Sequence, residues 1–296
     1  MTGQKGKVRL SLDFECGWGV AQGGDWRAVE AAGVYRDLRP ALRRFTRQLD
    51  DLELSFTWAV VGGMVDEPAA RDVSHLRGGF AQDMKVFLAE AEEPTVDGRD
   101  LLDMVVGLKT RQSFGTHTYS HLLFSDTEQG PEVIAKDLAQ AAAVNQRLGL
   151  DTSRLVFPRN HAGHLEIVAA TGISHVRLPP FGSADPTARP GLLQRGLSLA
   201  VRPVSTVIEI VDDSGVVGHH ASELLNWGAS ASVVKRALVR RRRKRAMNEA
   251  MRGGDIHFWI HPFDLVQTKG LDNDMAALLS QIASLRDQGL IDVEGF

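Results

Sequence analysis

The chain has 296 residues but a single cysteine, Cys16, which excludes an internal disulfide and fits a reducing compartment. Its formal net charge is only −3, which argues against a dedicated nucleic-acid-binding protein. No apolar run approaches the length of a membrane span, and the opening MTGQKGKVRLSL lacks the apolar stretch of a signal peptide. We therefore expect a cytoplasmic protein without a transmembrane segment, in which Cys16 is a small buried side chain.

The chain does contain many alternating strand and helix patterns. Hydrophobic residues make up 43% and charged residues 24%, as in ordinary soluble proteins, and this length suffices for one large core. No internal repeat or low-complexity linker divides the chain, so we expect one domain over residues 1–296. Strands separated by helices build parallel sheets, and with this number of strands the closed form is a barrel. Strands are predicted at 55–62, 174–178, 199–205 and 207–211, and helices at 35–52, 131–150 and 275–290.

The segment from Phe114 to His121, FGTHTYSH, carries two histidines four residues apart, His117 and His121. On a helical turn or a tight loop, this spacing directs both imidazoles to one point, as two ligands of a divalent metal require. Ten histidines in the chain make one chance pair at this spacing quite common, so the pair alone does not establish a metal site.

Two acidic residues end a strand near the N-terminus. In Lys7 to Glu15, KVRLSLDFE, apolar and polar residues alternate, so Asp13 and Glu15 leave the backbone on the same face. Neighbouring carboxylates repel each other unless a cation or a shared proton relieves the repulsion. Gly17 and Gly19 turn the chain just beyond them, and strand ends of this kind carry the catalytic groups of barrel enzymes. The alternative is an edge strand with a solvated face.

Two later segments share this design, in which an apolar strand runs into a polar tip. Residues 155–164 read LVFPRNHAGH and contain Arg159, and residues 256–264 read IHFWIHPFD and contain His261. Alone, Arg159 would more often form a surface ion pair, and His261 would more often cap a core strand. Four segments of this chain have polar residues at the end of an apolar run, at 7–15, 114–121, 155–164 and 256–264, which favours one common site.

In this order and at these separations, SLDFE, THTYSH, FPRN and WIHPFD resemble the motifs of the polysaccharide deacetylase family. The members of this family are metal-dependent amidohydrolases similar to chitin-oligosaccharide deacetylases, and the resemblance covers residues 8–265. It implies an α/β fold, an irregular seven-stranded (β/α) barrel.

The resemblance also implies roles for individual residues. Asp13 is implied as the general base, His261 as the general acid, and Arg159 as the arginine that holds the base carboxylate. Because the first motif here is an acid-x-acid version, the sequence leaves open which acid binds the metal. The implied metal ligands are one carboxylate and two imidazoles: Glu15, His117 and His121. Candidates for the family's fourth motif are His219, His220 and Trp227.

The chemistry of this donor set can also be argued from the residues. One carboxylate and two imidazoles fill three positions of a divalent metal and leave others open, which is typical of a catalytic rather than a structural site. Zinc is the expected metal, and nickel and cobalt accept the same donors. Non-haem iron oxygenases use a similar set, but they need no separate base and acid such as Asp13 and His261.

Two stretches fall outside these motifs. Residues 78–107 are an insertion rich in acidic residues, which we expect to form a lid or a pair of short helices. Residues 235–245, KRALVRRRRKR, are the only dense charge run in the sequence, and a solvated helix is the plain interpretation. The functional alternative is a contact from Arg240–Arg245 to a phosphate or diphosphate of the substrate, which we prefer to a membrane surface or RNA.

Three classes of function are compatible with the sequence. The first is a metal-dependent N-deacetylase acting on an N-acylated amino sugar, as a nucleotide-linked or lipid-linked precursor in surface polysaccharide biosynthesis. The second is a related amidohydrolase acting on a formamide or a ureide. The third is a non-catalytic polyanion-binding protein that uses the helix at 235–245. We favour the first class because candidate metal ligands, a candidate general acid and a candidate general base occur together in this sequence.

Overall fold

The computed structural model describes residues 5–151, 153–179, 204, 206, 208–211, 214–226 and 232–296. The strands are β1 (Gly6–Phe14), β2 (Thr57–Val60), β3 (Ser113–Thr116), β4 (Arg154–Val156), β5 (His175–Leu178), β6 (Ile208–Val211), β7 (Val216–His220), β8 (Glu223–Leu224), β9 (Asp255–Ile260) and β10 (Ile291–Glu294). The helices are α1 (Trp26–Ala31), α2 (Val34–Asp51), α3 (Gly62–Val65), α4 (Gly78–Glu90), α5 (Glu93–Val96), α6 (Arg99–Val106), α7 (Pro131–Arg147), α8 (Leu165–Ala170), α9 (Val233–Ala250), α10 (Asp264–Gln267) and α11 (Leu271–Asp287).

The sheet closes into a barrel. Its parallel strands run in the order β7-β5-β4-β3-β2-β1-β9-β8. Between β7 and β8, the Ala221 N–H donates to the Leu178 carbonyl at the end of β5 (3.0 Å), and the Ser222 N–H donates to the His257 carbonyl on β9 (2.9 Å). The continuous segment from β7 to β8 therefore bonds to β5 on one side and to β9 on the other, which closes the sheet. The predicted barrel is confirmed, with eight parallel strands rather than seven, because this closing segment is divided into two strands.

Two further strands extend this sheet. β6 pairs in antiparallel fashion with β7, and β10 pairs in parallel with the first residues of β1. The strand predicted at 207–211 corresponds to β6, whereas the strand predicted at 199–205 lies outside the described residues apart from Val204.

The alternation in β1 determines what the barrel encloses. Leu12 and Phe14 belong to the main apolar core, where the Phe14 ring packs edge to face on Trp58 with centroids 5.4 Å apart. Ser11 and Asp13 leave the opposite face of the strand and are buried inside the barrel. The outer face of β1 thus binds the helices, and its inner face carries polar side chains to the site.

The insertion at 78–107 folds into three helices, α4, α5 and α6, rather than the predicted pair. The Trp18 indole fixes it to the loop after β1, since Nε1 donates to the Val96 carbonyl at 2.8 Å and the ring packs edge to face on Phe87. Cys16 at the start of that loop is buried, and burial raises the pKa of its thiol to about 12. A lid function for these helices stays a prediction.

The basic run lies in α9, and part of it is used to attach the helix. Arg242 is buried and contacts Glu223 of β8, and Arg243 is buried close to Asp274 of α11. Arg240 donates to Asp274 through Nε at 2.8 Å. The basic run is therefore not purely a solvated face, and a phosphate contact at Arg240–Arg245 stays a prediction. Within the described residues, no helix has both the length and the apolar character that a bilayer crossing requires.

Candidate metal centre and active site

The three predicted metal ligands meet at the carboxyl ends of β1 and β3. His117 Nε2 and His121 Nε2 each lie 3.1 Å from the same oxygen, Glu15 Oε2. The ligand atoms of the three residues lie within 4.8 Å of one another, and all three side chains are buried. The structure thus brings together residues more than a hundred positions apart in the sequence.

The surroundings of these atoms fit a divalent metal. His117 Nδ1 lies 2.7 Å from the Val156 carbonyl, so Nδ1–H donates there and Nε2 presents its lone pair to the centre. A Cβ at Gly19 would lie 2.1 Å from Glu15 Oε1, so the glycine leaves room for the carboxylate. Burial opposes ionisation of Glu15, but the charges of His121 and His261 hold its pKa well below the ordinary value. An ionised carboxylate and two imidazole nitrogens are a donor set that zinc accepts.

Asp137 of α7 shapes the turn that carries the two histidines. In this turn Thr118 and His121 adopt left-handed backbone angles, with φ of 65° and 61°. The fully buried Asp137 carboxylate accepts the Tyr119 N–H at 2.8 Å and the Ser120 hydroxyl at 2.5 Å. Left-handed angles are costly for residues other than glycine, so these bonds help fix the turn.

Asp13 is held by Arg177 of β5. The guanidinium donates to both carboxylate oxygens, at 2.5 and 2.6 Å, and lies over the Trp259 ring at 4.4 Å from its centroid. Burial would raise the pKa of Asp13, but the charge of Arg177, with smaller contributions from His117 and His261, holds it below the ordinary value. The contact that was predicted for Arg159 is therefore made by Arg177.

His261 lies just beyond β9, across from the metal ligands. Its Nε2 is 3.7 Å from Glu15 Oε1 and 3.8 Å from Asp13 Oδ2, and its Nδ1 is 3.2 Å from Asp264 Oδ2. Asp264 in turn accepts a hydrogen bond from Asn226 Nδ2 at 2.6 Å. Burial would lower the pKa of His261, but Glu15 and Asp264 raise it to about 9. The Nδ1–H group of the imidazole therefore donates to Asp264, and Nε2 faces Asp13 and Glu15.

The three candidate ligands, the proposed base and the proposed acid line one pocket of about 260 Å³: Glu15, His117, His121, Asp13 and His261. This volume is small for a ligand site and suits one sugar ring or a molecule of similar size. The rest of the pocket wall combines apolar and polar side chains: Val20, Trp259, Phe263, Arg159 and Asn160.

Two functional residues escaped the sequence analysis. Arg177 lies within a correctly predicted strand, where a charged residue among apolar ones is a signal of a buried ion pair. Asp264 belongs to the quoted motif WIHPFD, three residues after His261. Two candidates for a fourth motif lie outside the ligand cluster and the pocket lining: His219 Nε2 lies 3.0 Å from His175 Nδ1, and His220 Nδ1 lies 2.7 Å from the Pro179 carbonyl. The third candidate, Trp227, is outside the described residues.

Neither a protein-family model nor a curated protein sequence matches the chain. Among solved structures, it is similar to a Mycobacterium smegmatis protein provisionally named a polysaccharide deacetylase, with a TM-score of 0.62 and 13% identity over 99% of this chain and 88% of that one. The Puue allantoinase has a TM-score of 0.55 and 8% identity over 98% and 87% of the two chains. The 4-alpha-glucanotransferase from Thermococcus litoralis has a TM-score of 0.51 and 11% identity over 99% of this chain and 40% of that one. At these identities the similarity concerns the fold, and at that level it confirms the predicted resemblance to polysaccharide deacetylases.

Proposed function

We propose that this chain is a metal-dependent N-deacetylase that hydrolyses the N-acetyl amide of an amino sugar. The observation that carries the proposal is the convergence of Glu15, His117 and His121 in one pocket, with Asp13 and His261 beside them. A nucleotide-linked or lipid-linked precursor in surface polysaccharide biosynthesis, met in the cytoplasm, remains our preferred substrate.

The metal held by Glu15, His117 and His121, zinc or else nickel or cobalt, would supply Lewis-acid chemistry for amide hydrolysis. Asp13 acts as the base. Each of its oxygens has two lone pairs, so the two bonds from Arg177 leave sites that accept a proton from the attacking water.

His261 acts as the acid, because an amine is a poor leaving group until its nitrogen is protonated. The imidazolium donates Nδ1–H to Asp264, so its Nε2–H is available for the departing nitrogen. When the proton has left, Asp264 still holds the ring in place. A positioned acid or base contributes about 10²- to 10⁴-fold in rate.

The pocket has room for one sugar ring, since the described residues line a volume of about 260 Å³. The aromatic side chains of Trp259 and Phe263 give this ring apolar surfaces to lie against.

Acetate release from N-acetylated amino sugars by the zinc-loaded protein tests the proposal. We expect Asp13→Asn to lower kcat by about 10²- to 10⁴-fold with one zinc per chain retained, because Asp13 is outside the ligand cluster. His121→Ala should lose zinc as well as activity. The exposed Asp103 on α6 offers a matched control, and Asp103→Asn should leave both readouts unchanged.

Product analysis separates the alternatives. Formate or ammonia in place of acetate would assign the second candidate, an amidohydrolase for a formamide or a ureide. Undiminished turnover in Asp13→Asn would contradict the role of Asp13 as the base.

A further inference from the structure

The arginine that the motifs assigned to Asp13 has no such contact in the structure. Arg177 occupies both oxygens of that carboxylate, and Arg159 lines the pocket instead. Within the described residues, Arg159 makes no hydrogen bond or ion pair, and it is exposed. An arginine presents five donors in a rigid fork, so Arg159 offers the pocket an unused binding group.

The backbone holds this arginine in an unusual conformation. Arg159 has φ 52° and ψ 21°, and the following Asn160 has φ 58°. This region is unfavourable for residues other than glycine, and here two consecutive ones adopt it. Hydrogen bonds from the Asn160 N–H to Phe157 (2.9 Å) and from the His161 N–H to Pro158 (3.1 Å) fix the turn. Strain of this kind clusters at ligand-binding sites.

The charges of the pocket favour an anion. Arg177 balances the charge of Asp13, and Glu15 lies against two imidazoles and, in the loaded enzyme, a divalent cation. His261 is paired with Asp264, which leaves the guanidinium of Arg159 without a counter-ion in the described part of the chain. With metal bound, the net charge of these side chains is therefore positive.

We propose that the substrate carries an oxyanion, a carboxylate or a phosphate, and that Arg159 binds it. The inference rests on the proposed function and makes it narrower: the amino sugar is anionic close to its acylated nitrogen. The guanidinium fork suits either group, since both present two oxygens to it.

The test compares N-acetylglucosamine with its 1-phosphate, its 6-phosphate and its C6 carboxylate, using the zinc-loaded protein. We expect at least one anionic sugar to exceed the neutral one in kcat/KM by about tenfold or more, mainly through KM, because hydrogen bonds between charged groups are stronger than neutral ones. The favoured group identifies the source, carboxylate or phosphate. Arg159→Gln should reduce this ratio to near unity, and Arg159→Lys should retain part of it. Arg47→Gln removes the same charge from an exposed site on α2 and should leave the ratio unchanged.

Equal kcat/KM for all four sugars in the wild type would overturn the inference, as would an equal loss for all four in Arg159→Gln. If no sugar is hydrolysed, the proposed function fails by itself. Calorimetric binding of the same four sugars to the wild type and to Arg159→Gln then decides the question of the anion. A preference for the anionic sugars that disappears in the variant supports the site, and no preference overturns it.

Discussion

Replacement of Arg177 by methionine gives the sharpest test of how the base is held. Arg177 is fully buried and donates two hydrogen bonds to Asp13 and one to Ser11 Oγ at 3.2 Å. Methionine preserves much of the volume but leaves the Asp13 carboxylate buried without its counter-ion. Breaking a buried pair in this way costs about 3–5 kcal/mol. We expect the free energy of unfolding to fall by that amount and turnover to fall with it, because the pKa of Asp13 then rises.

The assay is urea unfolding of the metal-free protein at pH 7, read by tryptophan fluorescence. Arg159→Met is the matched control: this arginine is exposed and contacts no carboxylate in the described residues, so its cost should stay within about 0.5 kcal/mol. The double variant Arg177→Met, Asp13→Asn should recover part of the lost stability, with a coupling of about 0.5–3 kcal/mol. The reasoning is refuted if Arg159→Met is as costly as Arg177→Met, or if Arg177→Met costs under about 1 kcal/mol.

Two further predictions concern buried groups away from the catalytic pair. Burial lowers the pKa of His219 to about 4, below the 6.5 of an unfolded chain, so the unfolded state binds a proton first and stability falls as the pH drops from about 6.5 to about 4. When the pH falls across this interval, the free energy of unfolding of His219→Asn should decrease by about 1–3 kcal/mol less than that of the wild type. Urea titrations at several pH values measure this difference, and identical pH profiles would show that His219 does not contribute. Asp137→Asn replaces an acceptor of the turn that carries His117 and His121, and it should weaken zinc binding about 10- to 100-fold in competition with a chelator. Unchanged zinc affinity would mean that Asp137 supports the fold without orienting the ligands.

The candidate metal ligands could be located in the sequence because each lies in a local pattern, although the sequence leaves open which of the two acids belongs to the set. Alternation in β1 places Asp13 and Glu15 on the same face whatever the rest of the chain does, and the spacing of His117 and His121 limits them to one turn. The helices at 35–52 and 131–150 were predicted to within three residues of their bounds for the same reason. Periodicity is a property of neighbouring residues, so it can be recognised without knowledge of the fold.

The contacts of the base and the acid were decided only by the tertiary structure. Arg159 follows an apolar strand pattern and Arg177 lies within one, and nothing local indicates which of the two reaches Asp13. Closure of the barrel places β5, with Arg177, across the interior from β1, while a strained turn after β4 leaves Arg159 at the pocket wall. A residue's periodicity fixes the face on which its side chain lies, but the partner across that face depends on strand order and register, which arise from the packing of the whole chain.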